Sequence, residues 1–257
     1  MKRITKLVFW LLSLPLITQA QIRLDSNLVK AGMAAIGSAT LSDAQVADYS
    51  RQAMVQMDAQ NPVAGPSDPY TVRLNRIVKR HHTISGIPLN YKVYKVKDVN
   101  AFATADGSVR VFQGLMDIMT DTELLAVMGH EIGHVANHDV RDAMKRSLQR
   151  SAIRDVASAN SGVIGKISRS QLGDVADYLV GASFSRKQET EADDYSYSFL
   201  KRNGYSVLAL ATSFEKLAKL SGGGQGGQVA TIMSSHPDSK ARAQRVRDRA
   251  RREGLLR

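Results

Sequence analysis

Apolar residues recur at helical spacing along most of this chain and alternate in only one short region. Ser42-Asp43-Ala44-Gln45 reads as a capping box that opens a helix to about Ala59, with Val46, Met54 and Met57 among its apolar positions. Asn61-Pro62 through Pro69 is turn chemistry. A second helix is predicted from Tyr70 to about His82, with Val72, Leu74, Ile77 and Val78 facing inward. His81 and His82 close it, where the helix dipole favours cations over a metal role. Residues 91–97 come close to strict alternation and predict a strand. Asn100–Thr104 and Val109–Phe112 flank an Asp106-Gly107 turn and predict a hairpin, and a short helical segment follows from Gly114 to about Met119.

Thr120-Asp121-Thr122-Glu123 is a second capping box. The helix it opens is apolar over much of its circumference (Leu124, Leu125, Val127, Met128, Ile132, Val135), so it is expected to be buried. Gly129 and Gly133 each cost its interior about 1 kcal/mol relative to alanine. They make sense if another backbone or a substrate passes close by. Residues 141–182 are rich in alanine and glycine and read as a weakly packed insertion that could act as a flap. A helix rich in acidic residues opens at Ser185, an amphipathic helix spans Ser206–Leu220, and Ser221–Gly227 is a flexible loop. His236 precedes Pro237 and is thereby held out of a last helix beginning near Ser239. The pattern predicts an α+β fold, mostly helical, with one small β-sheet.

The termini change this picture in two ways. Lys2, Arg3 and Lys6, an apolar run from Leu7 to Ile17 and Ala20 form a secretory signal, with cleavage expected after Ala20. Residues 21–41 carry little pattern, which leaves 42–257 as the folded domain. Loss of residues 1–20 removes three positive charges and no negative ones, taking the net charge from +11 to +8. Lys240, Arg242, Arg245, Arg247, Arg249, Arg251, Arg252 and Arg257 crowd the end of the chain. That predicts a solvated helix face able to associate peripherally with anionic membrane surfaces, and no nucleic-acid partner is expected for an exported protein. The chain has no cysteine, so neither disulfides nor a lipid-modified N-terminal cysteine is expected.

The candidate chemistry centres on His130-Glu131-Ile132-Gly133-His134, an H-E-x-x-H run in a chain with six histidines. On a helix the two histidines lie on one face, one turn apart, and both rings can reach one zinc ion. Glu131 points about 100° round the helix, where it can take the proton that an attacking water must lose. A tetrahedral catalytic zinc needs a third protein ligand. Glu189 and Glu191 are the candidates. Glu189 is preferred because Asp193 shares its face, four residues on, and could accept a hydrogen bond from the free ring N–H of a ligating histidine. A metzincin would need glycine at 137 and histidine at 140, where this chain has Asn137 and Val140, so His138 reads as a helix-end residue. His236 could swing toward the site as an oxyanion donor or an extra ligand.

The HEIGH run, Glu189-x-Glu191-Ala192-Asp193, the Asn100-Ala101-Phe102 strand and Ser235-His236-Pro237 occur in that order. Together they resemble the metallopeptidase family of the CAAX prenyl protease and the membrane protease HtpX. The runs at 41–46, 90–94, 97–103, 191–197 and 211–220 resemble its soluble periplasmic branch. The resemblance implies a zincin-type gluzincin domain over 42–257, with His130, His134 and Glu189 on zinc, Glu131 as general base and Asp193 supporting a ligand. It further implies that Asn100, Ala101, Phe102 and Ala103 form the edge strand on which a substrate peptide lies, that His236 lies near the metal and that Arg186 supports the site. A lipoprotein of that branch is anchored through a cysteine that this chain lacks, so a lipid anchor is not carried over. The expected function is a periplasmic zinc endopeptidase acting on exported or misfolded envelope proteins. The rival is a zinc-bearing, chaperone-like assembly factor with little proteolysis.

Overall fold

The computed structural model describes residues 41–157, 175, 178–222 and 227–256. The leader expected at residues 1–20, nearly all of the 21–41 segment and much of the 141–182 stretch lie outside them. Helix α1, Asp43–Gln60, starts where Ser42 and Gln45 cap each other's backbone N–H groups. Helix α2, Pro69–Val78, is capped by Asp68 and ends four residues short of the expected His82. Its inward set is Leu74, Ile77 and Val78, whereas Val72 is 56% exposed. Residues 74, 77 and 78 share a face that position 72, about 200° from 74, does not. Beyond α2, His81 is buried edge-on against Phe199, and His82 Nε2 lies 2.9 Å from the Lys79 carbonyl.

A two-residue hairpin follows, β1 (Thr83–Ile84) with β2 (Ile87–Pro88), whose strands are too short to leave a pattern in the sequence. The main sheet holds β3 (Asn90–Tyr94), β4 (Ala101–Ala103) and β5 (Ser108–Phe112) in the order β3-β5-β4. The expected hairpin is β4–β5, with Phe102 opposite Arg110. Strand β3 stops at Tyr94, not residue 97, and runs parallel to β5. Asp58 of α1 fastens this sheet, accepting from Arg110 Nε at 2.8 Å, Lys92 Nζ at 2.7 Å and Tyr94 OH at 2.7 Å. Strand β4 is left as an edge, and the helix that carries the HEIGH run lies against it.

Short helix α3 (Gln113–Ile118) leads to α4 (Asp121–Ala136), which Thr120 and Glu123 cap reciprocally. Every residue of α4 from Glu123 to Val135 is buried, as its all-round apolar pattern predicts. His138 then takes a left-handed conformation, φ 65°, and turns the chain into α5 (Asp139–Ala157). The start of the 141–182 stretch is therefore not loosely packed, because Val140, Ala143, Met144 and Leu148 of α5 are buried.

Helix α6 (Arg186–Arg202) crosses α4 closely. A Cβ built on Gly133 would lie 3.0 Å from the Ala192 carbonyl oxygen, and one on Gly129 would lie 3.0 Å from Ser196 Oγ. Both glycines are thus explained by α6, Gly133 by its backbone and Gly129 by the Ser196 and Phe199 side chains, and not by a passing substrate. Helices α7 (Leu208–Ser221), α8 (Ala230–Ser235) and α9 (Ser239–Arg252) complete the described chain. Much of α9 is not the solvated basic face its composition suggests. Arg242 is buried, Arg245 pairs with Asp193, Arg247 with Glu215 at 2.7 Å, and Arg249 with Asp194 at 3.0 Å.

The α4–α6 contact yields a stability prediction. Gly133→Val places two methyl groups against the α6 backbone and should cost about 3 kcal/mol. Chemical denaturation measures this, and an unchanged midpoint would show that α6 does not approach α4 as described.

Candidate metal centre

Three elements meet at one buried point. Helix α4 supplies His130, Glu131 and His134, α6 supplies Glu189 and Asp193, and the turn after α8 supplies His236. One donor atom each of His130, His134, Glu189 and His236 lies within 4.8 Å of all the others. His134 Nε2 is 3.2 Å from His130 Nε2 and 3.3 Å from Glu189 Oε1. His236 Nδ1 lies 3.2 Å from His130 Nε2 and 3.0 Å from Glu189 Oε1. Glu131 stands beside this group, its Oε1 3.5 Å from His236 Nε2. Glu191, the other candidate, is exposed and 3.6 Å from Lys187. His138 is exposed and His81 lies elsewhere in the fold, so neither joins the cluster.

Carboxylates orient both α4 rings. Asp193 Oδ1 lies 2.9 Å from His130 Nδ1, as the shared face of Glu189 and Asp193 suggests. The sequence reading missed Asp139, whose Oδ2 lies 2.9 Å from His134 Nδ1 and whose Oδ1 accepts from Gln188 at 2.8 Å. With each Nδ1–H donating to its carboxylate, the Nε2 of both rings faces the cluster centre. Arg186 does not reach the site: its side chain is 93% exposed and its nearest carboxylate is Asp238, at 3.8 Å. The buried cation there is Arg242, which donates to Asp193 at 2.6 and 3.0 Å and sits 4.1 Å over the Phe214 ring.

The charges in this buried region do not balance without a cation. Glu131, Asp139, Glu189 and Asp193 are buried carboxylates, and Arg242 and Arg245 are the guanidinium groups in contact with them. With the imidazoles neutral, as metal ligands must be, the difference of two negative charges equals the charge of one divalent ion. Titration follows the same logic. Burial pulls the His134 imidazolium down, but Asp139 and Glu189 outweigh it and hold the ring up at about 9. His130 is pushed well below its ordinary range by burial and by Arg242. Burial raises Glu131. It also raises Glu189, but hydrogen bonds from His134 and His236 prevail and hold that carboxyl low.

The donor set fits zinc. Glu189 Oε2 is buried with no hydrogen-bond partner, since Arg242 Nη1, 2.8 Å away, is not aligned to donate to it. Two imidazole lone pairs 3.2 Å apart repel unless a proton or a metal lies between them. Imidazole and carboxylate donors converging from two helices are what a catalytic zinc site uses. Beside the cluster, one cleft is bounded by β4, Glu131, His236, Val140 and Phe184, and the Phe184 ring is stacked on His134 at 3.9 Å.

Comparison with known proteins agrees with this chemistry. Residues 70–250 match the family model described as peptidase family M48. Metalloprotease LoiP of Escherichia coli K12 is 47% identical over 90% of this chain and 91% of its own length. Metalloprotease YcaL of the same organism is 46% identical over 88% of each chain. The beta-barrel assembly-enhancing protease of that organism is 28% identical over 68% of this chain but only 37% of its own length. The chain belongs to peptidase family M48 and is a zinc-dependent metallopeptidase.

A pH dependence of metal binding follows. Ligation requires a neutral imidazole, and His134 is held protonated below about pH 9. Zinc affinity should therefore rise by about tenfold per pH unit from pH 6 to 8. Competition against a chromophoric chelator measures it, and a flat profile would contradict a protonated His134 in the metal-free protein.

Proposed function

We propose that this protein is a periplasmic endopeptidase in which His130, His134 and Glu189 hold one zinc ion and Glu131 is the general base, acting on unfolded or misassembled envelope proteins. The observation that carries the reading is the position of Glu131, a buried carboxylate that lines the cleft between the four-residue cluster and strand β4. Zinc at the cluster supplies a Lewis acid for the scissile carbonyl and makes water more acidic.

The remaining chemistry belongs to the protein's own residues. Glu131, with its basicity raised by burial, takes the proton of the attacking water and returns it to the leaving amine nitrogen. Asp193 and Asp139 keep the protons of His130 and His134 on Nδ1, so that Nε2 of each stays available to the ion. Hydrogen bonds to β5 are made by Asn100 and Thr104, so by alternation Ala101 and Ala103 turn their backbone groups away from β5 toward the cleft, where Asn100 Oδ1 accepts from the Ala101 N–H at 3.0 Å. An extended peptide can pair there by β-augmentation, which suits unfolded chains better than folded ones. His236 stands among the donors, close to Glu131, and its departure would open room for substrate before it could serve as an oxyanion donor. Among the described residues no helix is long and apolar enough to cross a membrane. The leader read at residues 1–20 supports export.

Two measurements test this reading. Glu131→Gln should lower casein hydrolysis by about 10²–10⁴-fold while bound zinc stays at one per chain. Full activity in that variant would remove Glu131 from the mechanism and favour another base. Glu189→Gln should lose zinc, and Glu191→Gln should retain it. The reverse pattern, measured by metal analysis of the purified proteins, would overturn the choice of ligand.

A further inference from the structure

Helices α6 and α9 run side by side in the same direction. Arg242 meets Asp193, Arg249 meets Asp194, and Glu253 meets Lys201 at 2.7 Å. Their C-terminal ends therefore lie together. The end of α2 joins them, because Arg80 donates to Tyr205 OH at 3.0 Å and His81 packs on Phe199 and Tyr205. This pole exposes Lys79, Arg80, Lys201, Arg202, Arg251 and Arg252. Only Lys201 and Arg251 among them have a carboxylate partner within the described residues, Glu253 and Asp248 respectively.

Helix dipoles favour cations at such ends. They do not account for Leu255, which stands 46% exposed just beyond Arg251 and Arg252 while its neighbour Leu256 packs on the core. An exposed apolar side chain on a pole that also carries Lys79, Arg80, Arg202 and Arg252, which have no carboxylate partner among the described residues, is complementary to a bilayer surface, which offers headgroup phosphates to the cations and acyl chains to the leucine.

We propose that this pole, and not the length of α9, is a docking surface for anionic phospholipid headgroups. The arginines in the first three turns of α9 are taken up by Asp193, Glu215 and Asp194, so among the described residues the arginine of this helix left without a carboxylate partner is Arg252 at its end, with Lys240 alone at its start. Docking in this way has a geometric consequence. Glu189 lies thirteen residues before Arg202 on α6, which places the metal centre about 20 Å from the docked end. The cleft beside β4 is then held clear of the lipid, where an extended polypeptide can reach it. The surface is independent of the peptidase chemistry and can fail separately from it.

The test is co-sedimentation of the purified protein with vesicles containing phosphatidylglycerol, against vesicles of phosphatidylcholine alone. The protein should bind the anionic vesicles and be released as salt is raised. Each cation at such a surface contributes about fivefold, so Arg202→Gln with Arg252→Gln should weaken binding by about 30-fold. Arg186→Gln with Lys187→Gln, at the opposite end of α6, should leave it unchanged. Leu255→Ser should lower the binding that persists at raised salt. Hydrolysis of a soluble peptide should be the same in all variants, which confirms that each is folded. The proposal is overturned if anionic vesicles do not retain the protein, if the Arg186/Lys187 pair matters as much as the Arg202/Arg252 pair, or if duplex DNA retains it while vesicles do not.

Discussion

The constraint on which the site depends is buried charge. Four carboxylates, Glu131, Asp139, Glu189 and Asp193, are gathered where α4, α5 and α6 meet, against Arg242 and Arg245. Carboxylates are not held away from water without compensation, because desolvation of unpaired charge costs several kcal/mol per group. Asp139 and Glu189 favour a proton on His134, which offsets part of this charge. A divalent ion taking the place of that proton would balance the group. A metal ion held by this cluster would therefore offset buried charge at the helix junction as well as serve the chemistry proposed for it.

The junction explains features that look unrelated in the sequence. Gly133 lets the α6 backbone, and Gly129 the α6 side chains Ser196 and Phe199, approach α4 closely, on the helix from which Glu189 faces the two histidines. The reversal at His138 brings Asp139 back under His134. Arg242 reaches over from α9 to hold Asp193, which in turn orients His130. Each of these is a local irregularity or cost that makes sense only through the geometry it gives to the donors. The sheet has a similar logic. Asp58 fastens β3 and β5 from behind, and β4, an edge strand whose residues are buried, lines the cleft.

Features carried by one element were legible in the chain. The H-E-x-x-H spacing, both main capping boxes, the β4–β5 hairpin and the shared face of Glu189 and Asp193 depend only on neighbours within a few residues. The parallel pairing of β3 with β5 was not legible, because it joins strands separated by β4 and a register that no local pattern marks. Asp139 escaped notice because a histidine in a left-handed conformation, not helical periodicity, sets its direction. Arg242 was hidden in a basic run that looked solvated, and its partner lies 49 residues away. Arg186 illustrates the opposite error: a position taken from family resemblance points into solvent here.

The central claim is that the converging imidazoles and carboxylate form a zinc centre of mixed nitrogen and oxygen donors. X-ray absorption at the zinc edge of the purified protein tests it most directly. The account predicts a four-coordinate first shell of nitrogen and oxygen at about 2.0–2.1 Å, with outer-shell scattering from at least two imidazole rings. A six-coordinate shell of oxygen alone, without imidazole scattering, would contradict it.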